Sequence, residues 1–162
     1  MWYQRHLLPL LCYILEIKAK KMETFKISIF EKELRQKFPM FETLSIERSK
    51  AIIEKLSQLF RLNISDFMKV QEAGQYVANI DATTKDFSPS ILFPPLQQPT
   101  NILVIWNYES PIDVFRYQDF CRYFEYIWYQ SADDILIINE LLKVLFLIRH
   151  DGIIYQVSLP KE

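Results

Sequence analysis

The residue in this sequence best suited to chemistry is His150, which is followed directly by Asp151. A His-Asp pair is used in metal-dependent phosphoryl hydrolysis, but such sites need several more His and Asp ligands. The chain holds only one other histidine, His6, at its far end. A turn or capping histidine is therefore the better reading, with a pH-sensitive charge that is not by itself a function. Asp133 and Asp134, with Glu140 nearby, form a second acidic group. A nuclease-like metal site wants carboxylates converging at strand ends beside a lysine. Glu140 and Lys143 lack the spacing for that, and paired aspartates after a helix more simply bond the local backbone at a turn. Cys12 and Cys121 stand alone among apolar neighbours without CxxC spacing, which reads as buried thiols in a reducing compartment rather than a disulfide or zinc site. No serine sits in a GxSxG elbow. Lys18, Lys20, Lys21 and Lys26, with Glu16 and Glu23 among them, read as a solvated face.

The aromatic load is the one feature that favours a binding role. Nine tyrosines and three tryptophans occur in 162 residues, and many gather in two places, Trp106 with Tyr108 and the run from Tyr117 to Tyr129. Such side chains bury a large ring while keeping a polar tip, which suits protein interfaces. Trp106, Tyr108, Tyr117, Tyr123, Tyr126 and Tyr129 are accordingly the candidate contact residues, against the plainer role of core packing.

Composition narrows the classes. Half the residues are apolar, so a packed core is expected and global disorder is not. The two glycines leave no room for a Gly-rich phosphate loop, and no cofactor motif is present. A net charge of −1 with interspersed signs is not the footprint of a dedicated nucleic-acid binder.

The elements that must position these residues are readable in part. Asp151-Gly152 between apolar runs signals a tight hairpin, Gly accepting positive φ freely. A two-residue turn would pair His150 with Ile153, Ile148 with Tyr155, Phe146 with Val157 and Val144 with Leu159, all on one apolar face. The run 134–138 adds a third strand, making a C-terminal β-meander. Phe25, Ile27 and Ile29 alternate with Lys26 and Ser28, the period of a half-buried strand. A short polar helix is expected over Glu31–Lys37, stopping before Pro39. Ser45 is a good N-cap for a helix from Ile46 to about Arg61, and Ser65-Asp66 for another through Glu72 with Gly74 at its exit. Gln75–Ile80 and Asn101–Asn107 read as strands, and Asp113–Tyr129 as one long helix with Phe120, Cys121, Phe124, Ile127 and Trp128 on its broad apolar face. Between them, residues 81–100 carry four prolines and must be a loop, anchored by Phe87, Ile91, Leu92, Phe93 and Leu96.

The expected fold is a single α+β domain over residues 22–162, with an antiparallel or mixed sheet of about five or six strands packed against two or three helices. Residues 1–21 form a separate apolar extension or helix. Its run from Leu7 to Leu15 is too short to span a bilayer and lacks a cleavage site, so neither a transmembrane segment nor a signal peptide is expected, though weak membrane-surface association is compatible with it. Met22 opens what looks like a natural domain start. The expected function is a small non-catalytic cytoplasmic protein that binds another macromolecule, foremost a protein, in a regulatory or inhibitory role of the toxin-neutralising kind. Neither a metal nor another cofactor is expected. The alternative is a small metal-assisted hydrolase using Asp133, Asp134 and His150, which requires those three side chains to converge within about 5 Å in a cleft.

Overall fold

The computed structural model describes residues 22–94, 98–107, 109–139, 141 and 143–160. In chain order the elements are α1 (Thr24–Leu34), β1 (Phe41–Thr43), α2 (Ile46–Phe60), α3 (Phe67–Ala73), β2 (Gln75–Tyr76), a 3-10 turn (Pro89–Leu92), β3 (Asn101–Ile105), β4 (Asp113–Arg116), α4 (Tyr117–Arg122), α5 (Phe124–Ile127), β5 (Ile135–Asn139), β6 (Val144–Ile148) and β7 (Ile154–Ser158). The strands make one open seven-stranded sheet in the order β1-β4-β3-β5-β6-β7-β2, every neighbouring pair antiparallel. The α+β expectation holds, and the sheet is slightly larger than expected. No helix among the described residues is long and apolar enough to cross a membrane.

Both faces of the sheet are covered, which explains why its central strands are apolar throughout. Side chains alternate along each strand. On one face Ile102, Val104, Phe115, Ile135, Ile137, Phe146 and Ile148 meet α4, α5 and the 3-10 turn through Phe120, Phe124, Ile127 and Leu92. On the other, Leu103, Ile105, Leu136, Ile138, Leu145 and Leu147 meet α2 and α3 through Ile53, Leu56, Phe60 and Val70. Antiparallel sheets commonly leave one face wet; this one does not.

That double cover defeats the expected hairpin register. Ile148 pairs with Ile154, Phe146 with Gln156 and Val144 with Ser158, one residue off the expected pairing, so β7 presents Ile154 to one core and Val157 to the other. A one-face argument cannot specify register for a strand buried on both sides, and the turn decides instead. His150, Asp151 and Gly152 form a three-residue loop, closed by Gly152 N–H donating to Arg149 O at 2.8 Å and Arg149 N–H to Ile153 O at 3.0 Å. Gly152 takes the left-handed conformation at φ 86°, as in a type I turn followed by a bulge. A Cβ there would run into the Asp81 carboxylate and lie 2.6 Å from Thr83 Cγ2.

Three other expectations change. The segment read as a strand at Phe25–Ile29 is the first half of α1. The long helix over Asp113–Tyr129 is instead strand β4, which pairs with both β1 and β3, followed by two short helices that meet at Tyr123. Sheet pairing on both edges outweighs the helical spacing of the apolar residues. The strand expected over Gln75–Ile80 shrinks to two residues. By contrast α2 and α3 lie where expected: Ser45 Oγ accepts Arg48 N–H, and Asp66 Oδ1 accepts Met68 and Lys69 N–H. The proline-rich loop is anchored by buried Leu92 and Phe93 and partly buried Phe87, while Ile91 is exposed; Leu96 lies outside the described residues, as does the extension 1–21.

Candidate functional site

Helix α1 buries a charged side chain beside Phe30 and leaves two apolar ones partly exposed. Lys26 is 2% exposed, while Phe25 beside it is 48% exposed and Ile29 37%. Residues four apart share a helix face, so Met22, Lys26 and Phe30 point inward while Phe25 and Ile29 point outward.

A buried ammonium needs all its donors satisfied. Lys26 Nζ donates to Asp133 Oδ2 at 2.5 Å and to the Ile127 carbonyl at 3.0 Å. It also lies over two rings, 4.8 Å from the centre of Trp106 and 4.9 Å from that of Tyr129, where the negative ring faces attract a cation. Asp133 Oδ2 in turn accepts Tyr129 N–H at 2.7 Å, and the Asp133 carbonyl accepts the Trp128 indole N–H at 2.8 Å. The aspartate thus holds the end of α5 and its lysine partner together. One step further, the Trp106 indole N–H donates to Asp113 Oδ2 at 2.9 Å, and Thr43 Oγ1 donates to Asp113 Oδ1 at 2.7 Å. The network links α1, β1, β3, β4 and the α5–β5 connection.

Outside this network the same helix shows a short apolar stripe. Phe25 and Ile29 lie one four-residue step apart, and the next step is the charged Glu33. Tyr129 borders the upper end, its ring edge-on to Phe25 at 5.9 Å. Tyr126 borders the lower end, donating its hydroxyl to Glu33 Oε2 at 3.0 Å. That hydrogen bond to a carboxylate is the main cause of the raised Tyr126 pKa; for Tyr129 burial raises it first, then the charges of Glu33 and Asp133.

The five described residues among the six sequence candidates do not form one surface. Tyr123 and Tyr126 pack their rings edge-on against Phe30 of α1 at 5.0 and 5.2 Å, partly buried with their hydroxyls outward. Trp106 and Tyr129 clamp Lys26. Tyr117 is buried; its hydroxyl has no hydrogen-bond partner among the described residues, and burial beside Cys121 pushes its pKa up. Tyr108 lies outside the described residues. Phe25 and Ile29 were missed because their alternation with Ile27 suits a strand, and Lys26, expected on a solvated face, is instead buried. The signal that could have found them is Met22, Lys26 and Phe30 at helical spacing, with the lysine in the core position.

The alternative catalytic set divides. His150 Nδ1 lies 2.8 Å from Asp134 Oδ1, which also accepts the His150 backbone N–H at 2.7 Å. Asp133 is instead engaged by Lys26. Among the described residues no group of three His, Cys, Asp or Glu side chains is placed to hold a metal ion. Glu140 and His6 lie outside the described residues. An open depression of about 590 Å³ passes Asp134 and Trp106, walled by Phe67 and Met68 of α3. The chain matches no protein-family model, no curated protein and no solved structure.

Proposed function

We propose that this protein acts by binding another protein, and that the outer face of α1 is its contact surface. The observation that supports this is the exposure of Phe25 and Ile29 on a helix that buries Lys26. With Phe25 48% and Ile29 37% exposed, the helix forgoes roughly half of the 1.5–3 kcal/mol that fully covering each such side chain is worth. A partner offering an apolar pocket to Phe25 and Ile29 recovers that energy, and the phenols of Tyr126 and Tyr129 beside them supply rigid rings with polar tips. The Lys26–Asp133 bond and the two rings hold the stripe in place before contact, which lowers the ordering cost of binding. A regulatory or inhibitory role, of the toxin-neutralising kind, suits a small binding protein with a preformed surface.

The test is size-exclusion chromatography of native lysate with the wild type and with Phe25→Asp/Ile29→Asp. The wild type is expected to elute in a larger complex and the double variant as a folded monomer. A wild type that elutes free, or a folded double variant that stays in the complex, overturns the proposal.

A further inference from the structure

The groups that hold the Lys26 ammonium all belong to the body of the protein. Trp106 directly follows β3, the Ile127 carbonyl ends α5, and Tyr129 and Asp133 come from the α5–β5 connection. They are fixed without help from α1: Tyr129 N–H and the Trp128 indole N–H both donate to Asp133, and the Trp106 indole N–H donates to Asp113 on β4. A carboxylate, a carbonyl and two ring faces around one point are what an ammonium requires on leaving water. The helix that brings the lysine is a separable part. Along its length α1 buries only Lys26 and Phe30. Phe30 packs on Phe38, Tyr123 and Tyr126 and lies in neither of the two cores that flank the sheet. Of residues 22–34, Met22 and the partly buried Ile27 join the first core. No side chain caps the start of α1, and residues 35–37 after it are exposed.

We propose that this socket is a binding site for the primary ammonium of an incoming lysine side chain, and that α1 is an autoinhibitory plug that fills it with Lys26. The inference does not rest on the outer face of α1 making a contact. With α1 lifted, the incoming ammonium donates to Asp133 Oδ2 and Ile127 O and lies against Trp106 and Tyr129, as that of Lys26 does. The two hydrogen bonds, at 2.5 and 3.0 Å, set the ligand class. They need N–H donors, which a lysine ammonium has and a quaternary ammonium lacks. A neutral alcohol can donate, but it leaves the Asp133 carboxylate without a counter-charge. Because the plug belongs to the same chain, an external lysine meets only the fraction of molecules with α1 open, and its affinity for the resting protein falls by that fraction.

The socket is tested with Lys26→Ala in the full chain and n-propylammonium chloride, which restores the deleted atoms. In urea unfolding the amine is expected to lower the unfolding equilibrium constant about tenfold once it exceeds its Kd tenfold; a variant unfolded by itself is expected to fold when the amine is added. An amine without effect, or equal stabilisation by n-propanol or propyltrimethylammonium, overturns the socket, as does an equal shift in the wild type. The plug is tested on the wild type by native-state hydrogen exchange. The α1 amides are expected to exchange at least about tenfold faster than those of β3, β5 and β6, through an opening that leaves the sheet protected. Nα-acetyl-lysine N-methylamide is expected to speed them further, and its Nε-acetylated form is not. Exchange of α1 only together with the central strands, or rates that the lysine probe leaves unchanged, overturns the plug.

Discussion

Helices α1 and α2 each lay one face on the body of the protein, and they differ at a central buried position, which is charged in α1 and apolar in α2. In α2 the buried side chains are Ser49, Ile53, Leu56 and Phe60, and the exposed ones are mostly charged or polar, with Ile46 and Leu59 about as exposed as Ile29. Its first turn is capped by Ser45 Oγ. In α1 the buried pair is Lys26 and Phe30, the exposed face carries Phe25 and Ile29, and Glu23 makes no side-chain cap. An apolar stripe holds α2 by area and tolerates exchange among residues of similar volume. A single ammonium with a fixed set of acceptors holds α1 by geometry and tolerates little. The difference is that α2 is held mainly by apolar area, whereas α1 is held in part by the fixed hydrogen bonds of a buried charge.

The sharpest way to break this comparison is to place the same residue at both buried positions. Leu56→Met conserves volume and is expected to cost less than about 1.5 kcal/mol. Lys26→Met leaves the Asp133 carboxylate beside Trp128 and Tyr129 without its cation, and is expected to cost about 3 kcal/mol or more, as broken buried pairs do. Urea unfolding followed by tryptophan fluorescence measures both. Adding Asp133→Asn to Lys26→Met removes the stranded charge and is expected to restore part of the loss. If Lys26→Met costs no more than Leu56→Met, the polar lock is not what holds α1.

How much could be read from the residues follows from the same contrast. The boundaries of α2 and α3 were legible because a cap and a 3.6-residue stripe agree at Ser45 with Ile53, Leu56 and Phe60, and at Asp66 with Val70. Helix α1 was not, because its central core position is a lysine and its apolar residues happen to alternate. The location of the Asp151-Gly152 turn was legible, but its length was not. Two apolar faces gave β6 and β7 no preferred side, and the one-residue difference rests on the left-handed Gly152 against Asp81 and Thr83. Of the candidate site, the tyrosines bordering the stripe were picked out by type, while the stripe itself depended on the missed helix. Gly152→Ala tests the turn. It adds a Cβ at φ 86° and crowds Thr83, so a loss of roughly 1–3 kcal/mol is expected in thermal or urea unfolding, with the β6–β7 amides exchanging fastest among the central strands.

A smaller effect separates the two helix starts. Ser45→Ala removes the side-chain acceptor for Arg48 N–H and is expected to cost about 1 kcal/mol, the usual value of such a cap. Glu23→Ala removes no capping bond, and its effect is expected to stay within about 0.5 kcal/mol. Paired urea titrations of the two variants decide the matter. Equal losses would mean that α1, like α2, depends on its first-turn side chain rather than on Lys26.

The change that carries the functional weight is also expected to be small. Phe25 and Ile29 are partly in water, so the folded protein loses little when they become polar. Phe25→Ser with Ile29→Ser is expected to move the unfolding midpoint by the equivalent of about 0.5 kcal/mol or less per site. The edge-on contact between Phe25 and Tyr129 sets an upper limit of about 1 kcal/mol more. If the pair instead costs as much as Lys26→Met, the two side chains belong to the core of the isolated protein, and the outer face of α1 is not reserved for a partner. If stability holds while the larger complex is lost, the exposed stripe is serving association. Stability and binding then separate on one helix, with Lys26 setting the position of α1 and Phe25 and Ile29 making the contact.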